Sequence, residues 1–383
     1  MKDYFYFVKN ELTDIFIHDS KRGILLMLAS VAYMLIFSWL YLFGLVKEVP
    51  LLVIDQSNTA ISRQLVQAFD DSDGFKAVAY RNTWQEAEPW LRSQGRHSAA
   101  LIIPEDFAEA IATDKQSSVQ LMIEGSNIIV TSNSATAGMD IIQSFNAQTA
   151  QRLLARDVSQ LPYLAKRRTQ PVSFNYRILA NPQLDYLHFF VYGLGLIALQ
   201  QGLLLSLAAS VFTHRRQKSF SQLPAAGRWL TSSAIYCSLG LASYAACLLL
   251  GHYFFLLPLK GSLLEHFTIS AAFLFCLSQL GGLLACLTKD ELLFSRISIF
   301  YTVPAFMLSG YTWPLEAMPL GVQLLGYASP FTYFASTVRQ LCLNGYSSSL
   351  YSNATILAII GLIALPCVIK AYGKAAATKA KKR

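Results

Sequence analysis

The sequence predicts an α-helical polytopic membrane protein with six transmembrane helices, a re-entrant helical hairpin over 312–345 and an α/β extracytoplasmic domain over 47–185. Three observations predict it. The first is composition: 54% of the 383 residues are hydrophobic and only 14% are charged, whereas soluble domains carry about 25% charged residues. The second is charge placement. The net charge is +8, and the basic residues cluster beside apolar runs, at Lys21-Arg22, at Arg215-Arg216-Gln217-Lys218 and over 379–383. That is positive-inside punctuation, not the basic groove that a nucleic acid requires. The third is a pair of apolar stretches, 318–329 and 331–343, split by Pro330. Each holds about a dozen residues, where ~20 are needed to cross a bilayer. Broken backbone at membrane depth survives only where protein or a water-filled cavity covers it.

The elements follow in order. Residues 1–22 read as a cytoplasmic amphipathic helix, because Phe5, Val8, Leu12, Ile15 and Phe16 share one helical face while Lys9, Asn10, Thr13 and Asp14 fall elsewhere. Residues 23–46 form the first span; the run is longer than the 7–15-residue core of a signal peptide, and no cleavage pattern follows it. From 47 to 185 the composition becomes that of a soluble domain. Strand-like runs at 49–54, 75–80, 98–103 and 119–124 alternate with helical patterns at 57–69, 83–93, after Pro104 and over 126–160. This alternation implies an α/β domain. The later spans are 187–212, 229–257, 263–287, 292–311 (with Pro304 inside) and 354–371, and a basic tail covers 372–383. This topology puts both termini and every basic cluster on one side, leaving mainly Lys260 and Arg339 for the other. All six cysteines fall after residue 236 and lack metal-ligand spacing, so they read as small buried hydrophobes.

Several stretches together resemble a family. Ser309-Gly-Tyr-Thr-Trp-Pro-Leu-Glu-Ala-Met-Pro319, then Gln323, Ser329-Pro-Phe-Thr-Tyr-Phe334 and Val338-Arg339 are similar to the signature of ABC-2 type exporter permeases. Val53-Ile-Asp-Gln-Ser-Asn-Thr-Ala-Ile-Ser-Arg-Gln-Leu65 resembles the start of the external domain in the branch with a large loop between the first two spans. Asn181-Pro182 and Gly193 also fit. The resemblance implies a permease half in the bacterial inner membrane. It would pair with a second half, identical or similar, and dock on separate ABC ATPase subunits that bind the ATP. A periplasmic adaptor and membrane lipid are further implied partners; nucleic acid is not. It also implies that the N-terminal helix and the loop after the second span touch the ATPase, which makes Leu12, Asp14, Arg215, Arg216 and Lys218 contact candidates. The hairpin, with Tyr311, Pro314, Glu316, Pro319, Pro330 and Arg339, would line the outer gate. One departure stands out: the first cytoplasmic loop lacks the family's Glu-x-Gly-Thr acid, although Leu223-Pro224 matches its end.

Chemistry-bearing patterns are few. There is no Walker Gly-x-x-x-x-Gly-Lys-Ser/Thr loop, so no cofactor is expected on this chain and ATP falls to a partner. No His-Glu-x-x-His, Gly-x-Ser-x-Gly or Cys-x-x-Cys motif occurs, and no catalytic or metal residue is expected. His188, His252 and His266 lie near span ends, as interfacial histidines do. Glu316 and Arg339 either pair across the hairpin and face a vestibule or reach water separately. Thr332, Ser336, Arg339 and Gln340 share a helical side opposite Phe334, Val338 and Leu341. Gln200, Gln201 and Gln279 either line a pathway or make interhelical hydrogen bonds. Gly281-Gly282 with Ala285 permits close helix packing, and Asp55 is a turn and capping group. A membrane-anchored sensor or scaffold acting through 47–185 is the rival reading. A secondary transporter would need inverted repeats and midplane ionisable residues.

Overall fold

A computed structural model describes residues 2–42, 47–86, 89–90, 98–113, 115, 117–123, 128–157, 186–216 and 223–377. Lys218, Asn181-Pro182, the tail 379–383 and parts of the expected segments 23–46, 83–93 and 126–160 lie outside these residues. The chain divides into two compact units: one of residues 1–42, 179–181 and 186–383, the other of 43–178 and 182–185.

The first unit begins with helix α1 (Lys2–Thr13), carried on by one π-helical turn, Asp14–His18. Asp19 breaks the chain direction before α2 (Ser20–Leu40). Helices α2, α6 (Tyr186–Arg216), α7 (Ala225–Phe255), α8 (Leu263–Leu287) and α12 (Leu350–Ala377) are long and apolar enough to cross a membrane. Between them come α9 (Glu291–Met307), α10 (Leu320–Ala328) and α11 (Pro330–Asn344). In its most apolar stretch α6 is 78% buried, against 28% for α2 and for α12, so α6 is the central helix and the other two are peripheral. Their outer faces, and that of α9, carry Leu28, Ile36, Trp39, Phe300, Leu362 and Ile363 exposed. That much apolar surface suits lipid rather than water.

The N-terminal helix has a second face. Of the expected apolar stripe, Phe5 and Phe16 are exposed, Val8 and Leu12 half-buried and Ile15 buried; the face turned into the unit is Phe7, Glu11, Asp14 and Ile15. Hydrophobic spacing alone does not mark this inner face because a buried acid lies on it. The hairpin boundary also shifts. Ser329 is the extended break between the short helices, and Pro330 opens the second at its first position, where a missing N–H and a fixed φ are harmless.

The second unit holds β1 (Val49–Asp55), α3 (Ala60–Asp70), β2 (Phe75–Tyr80), β3 (Ala99–Ile103), α4 (Phe107–Ala112), β4 (Gln120–Ile123) and α5 (Ile128–Asp157). The strand order is β2-β1-β3-β4; β1 runs parallel to β2 and β3, and β4 is antiparallel to β3. Val49, Leu51 and Val53 pack with Leu65, Phe69, Phe75 and Phe145 on one face, while Leu52 and Ile54 pack with Ala100 on the other. Coverage of both faces explains why β1 reads as a continuous apolar run. Asp55 accepts from Asn58 N at 2.9 Å and from Ser62 Oγ at 2.6 Å, and Thr59 with Ser62 forms a capping box for α3.

Candidate functional site

Two polar clusters of the first unit lie at the two ends of α6. At its beginning lies the segment that links α9 to α10. Gly310 turns the chain with φ +78°, and Tyr311 is buried beside α6. The Gly193 N–H donates to Tyr311 Oη at 3.1 Å. A Cβ on Gly193 would lie 2.7 Å from the Tyr311 ring and 2.8 Å from Phe306, so the close approach requires glycine there. Arg339 of α11 donates to the carbonyls of Tyr311 at 3.0 Å and Gly310 at 3.4 Å. Its guanidinium sits over the Tyr311 ring at 4.7 Å. Two carbonyls that no helix satisfies are thus held by one planar fork.

The rest of the predicted hairpin set divides. Pro314 and Pro319 precede a short 3₁₀ turn, Leu315–Ala317, and α10, respectively. Glu316 is exposed and makes no ion pair with Arg339, which is already committed to backbone. The polar side of α11 is uneven: Thr332 is buried and donates to Gly326 O at 2.6 Å, while Ser336, Arg339 and Gln340 are half-buried. The opposite side is fully buried, with Phe334 stacked on Phe273 at 4.1 Å. Lys260 repeats the Arg339 device by donating to Leu343 O at 2.8 Å at the end of α11.

The other end of α6 holds a buried network that residue spacing did not reveal. Glu11 and His214 have side chains 2% and 6% exposed, with Nε2 2.9 Å from the carboxylate. A carboxylate only accepts, so Nε2–H donates to Glu11, and Nδ1 lies 2.8 Å from the Tyr372 hydroxyl. Ser210 donates to the second carboxylate oxygen, and Arg22 donates to Thr213. Burial pushes the Glu11 carboxyl up, but the hydrogen bond and charge of His214, the Ser210 hydroxyl and the Arg22 charge outweigh it. Its pKa therefore lies below the ordinary 4.5. Glu11 was legible only as an acid at i, i+4 from Phe7 and Ile15, a stripe that apolar scoring passes over.

The predicted contact candidates spread out around this network. Asp14 bonds His18 at 2.9 Å, Leu12 is half-buried and Arg216 is exposed. Arg215 donates to Ala285, Cys286 and Thr288 carbonyls and so caps the end of α8. The three glutamines bond between helices. Gln200 and Gln201 meet Thr302 and Ser298 of α9, and Gln279 accepts from Trp229 Nε1 at 2.8 Å and donates to Ser233. Gln200 Oε1 is buried with no hydrogen-bond partner. Gly282 lies against the Trp229 ring. His252 and His266 bond neighbouring carbonyls. The six cysteines are free.

A family model described as "ABC-2 family transporter protein" matches residues 21–369. The chain belongs to the ABC-2 transporter family. With its several apolar helices, this ABC-2 protein is a multi-pass membrane protein. It is similar to the "Probable multidrug ABC transporter permease YbhR" of Escherichia coli K12, 28% identical over 324 residues that cover 81% of this chain and 82% of that protein. It is also similar to the "Probable multidrug ABC transporter permease YbhS" of the same strain, 31% identical over 111 residues, 29% of each. No solved structure matches it.

Proposed function

We propose that this ABC-2 protein is one permease half of an ATP-driven exporter of the bacterial inner membrane. The family match across residues 21–369 carries the reading. Six spans, at 23–46, 187–212, 229–257, 263–287, 292–311 and 354–371, leave 47–185 extracytoplasmic and both termini cytoplasmic. The fifth rests on α9, whose 17 residues reach about 25 Å and need residues up to Tyr311 to complete the crossing. The short helices α10 and α11, 9 and 15 residues long, form the re-entrant hairpin and line the outer gate. Their tie to α6 through Arg339, Tyr311 and Gly193 supports that role.

ATP is hydrolysed on separate ATPase subunits, and a second half completes the path. Binding energy spent on those subunits shifts the permease between conformations. The Glu11–His214 pair joins α1 to α6 where such a push would enter. The relatives' names put drug-like molecules first among cargo classes. An adaptor and lipid are the other partners of this assembly.

The test is co-purification with the ATPase encoded beside it. The expected result is a stable complex whose ATP turnover changes when this subunit is present. An ATPase that neither binds nor responds would overturn the exporter and leave a sensor acting through 47–185.

A further inference from the structure

A cavity of about 150 Å³ opens between the starts of α2 and α9 and the second half of α6. Its walls mix apolar Leu25, Leu205, Ala209 and Phe294 with Ser206 and Ser295, and its rim carries Asp19, Lys21, Arg22 and Glu291. The rim therefore holds two charges of each sign. Arg22 Nε donates to Asp19 at 2.9 Å, which uses one pair. Lys21 and Glu291 make no ion pair among the described residues, and both line the opening. Exposed Leu28 and Leu292 lie next along the same helices, on faces that suit acyl chains.

We propose that this cavity binds the headgroup of a zwitterionic phospholipid bearing a primary ammonium. Lys21 takes the phosphate, and Glu291 takes the ammonium by charge and hydrogen bond. An anionic headgroup satisfies Lys21 but leaves Glu291 facing negative charge. A quaternary ammonium matches the charge but has no N–H to donate. The cavity is also smaller than the ~300 Å³ at which drug-sized sites begin, and a headgroup fits it better than a cargo molecule.

The test is native mass spectrometry of the purified, delipidated full chain in detergent. An equimolar mixture of phosphatidylethanolamine, phosphatidylcholine and phosphatidylglycerol is the probe, with no ATPase present, so the result stands apart from the exporter reading. The expected result is preferential retention of phosphatidylethanolamine. Lys21→Gln should weaken phosphatidylethanolamine and phosphatidylglycerol alike, by about fivefold for one surface cation. Glu291→Gln should weaken phosphatidylethanolamine and spare or favour phosphatidylglycerol. Ala209→Trp, which fills the cavity, should remove the preference, whereas Lys9→Gln on α1 should not. Equal retention of the three lipids, or a preference unmoved by Lys21→Gln and Glu291→Gln in protein that still elutes as a single species, would overturn the site. Exclusion of lipid by a second copy of the chain would overturn it too.

Discussion

At the scale of single residues, the charges of the membrane unit serve backbone and one another. Arg215, Arg339 and Lys260 each donate to carbonyls at the end of a helix or beside a break, which no backbone partner satisfies. Glu11 is instead paired side chain to side chain with His214, in the interior. Removing one member of a buried pair leaves the other uncompensated and costs about 3–5 kcal/mol, whereas removing both costs less than the sum. Glu11→Ala should therefore lower the melting temperature of the full chain in detergent more than Glu11→Ala combined with His214→Leu does. Glu11 also sets a pH limit. Its pKa is depressed on folding, so its stabilisation is complete above the ordinary 4.5 and is lost as pH falls through the lower folded value. The groups facing it are Ser210 and His214 of α6, Arg22 of α2, Tyr236 of α7 and Tyr372 of α12. Below pH 4.5 the wild-type melting temperature should fall more steeply than that of Glu11→Gln, and parallel curves would remove Glu11 as the cause.

At the scale of elements, the α9–α10 link is held by one side chain acting at two carbonyls and one ring. Lysine can reach either carbonyl but has no planar fork and stacks poorly on Tyr311. Arg339→Lys should lower transport in reconstituted vesicles about tenfold and leave expression near wild type; transport equal to wild type would show that charge alone suffices. The five long apolar helices were legible because each is a continuous apolar run, and β1 because both of its faces are covered. Asp55 was legible because a strand end followed by Ser and Thr calls for a cap. The inward-facing acid of α1 was not legible. Amphipathic scoring assumes that acids face water, but Glu11 turns inward to a histidine 203 residues away, and no local window contains both. Between the two readings of Glu316 and Arg339, paired or separate, the sequence did not choose, because they are the charges of one short stretch. The carbonyls freed by the turn at Gly310 are nearer and claim the guanidinium first.

At the scale of the whole first unit, α6 connects the two clusters. Gly193 touches Tyr311 near one end and His214 meets Glu11 near the other, 21 residues apart and about 32 Å along the helix axis. Sites that far apart with no shared partner add in stability within about 0.5 kcal/mol. Transport has a different requirement if α6 moves as one rigid rod: the push received at Glu11 is useful only while Tyr311 follows Gly193. Gly193→Ala crowds the Tyr311 ring and should destabilise the chain by about 1–3 kcal/mol. Glu11→Gln weakens the pair at the opposite end. Combined, the two changes should lower the melting temperature by the sum of their separate effects. Their effects on transport should fall short of the product, because once either end has slipped the other has nothing left to transmit. A double-mutant cycle on vesicle uptake, run beside one on thermal unfolding, separates the two. Multiplicative losses in transport would mean that the clusters act independently and that α6 is a scaffold between them, with no part in carrying the stroke.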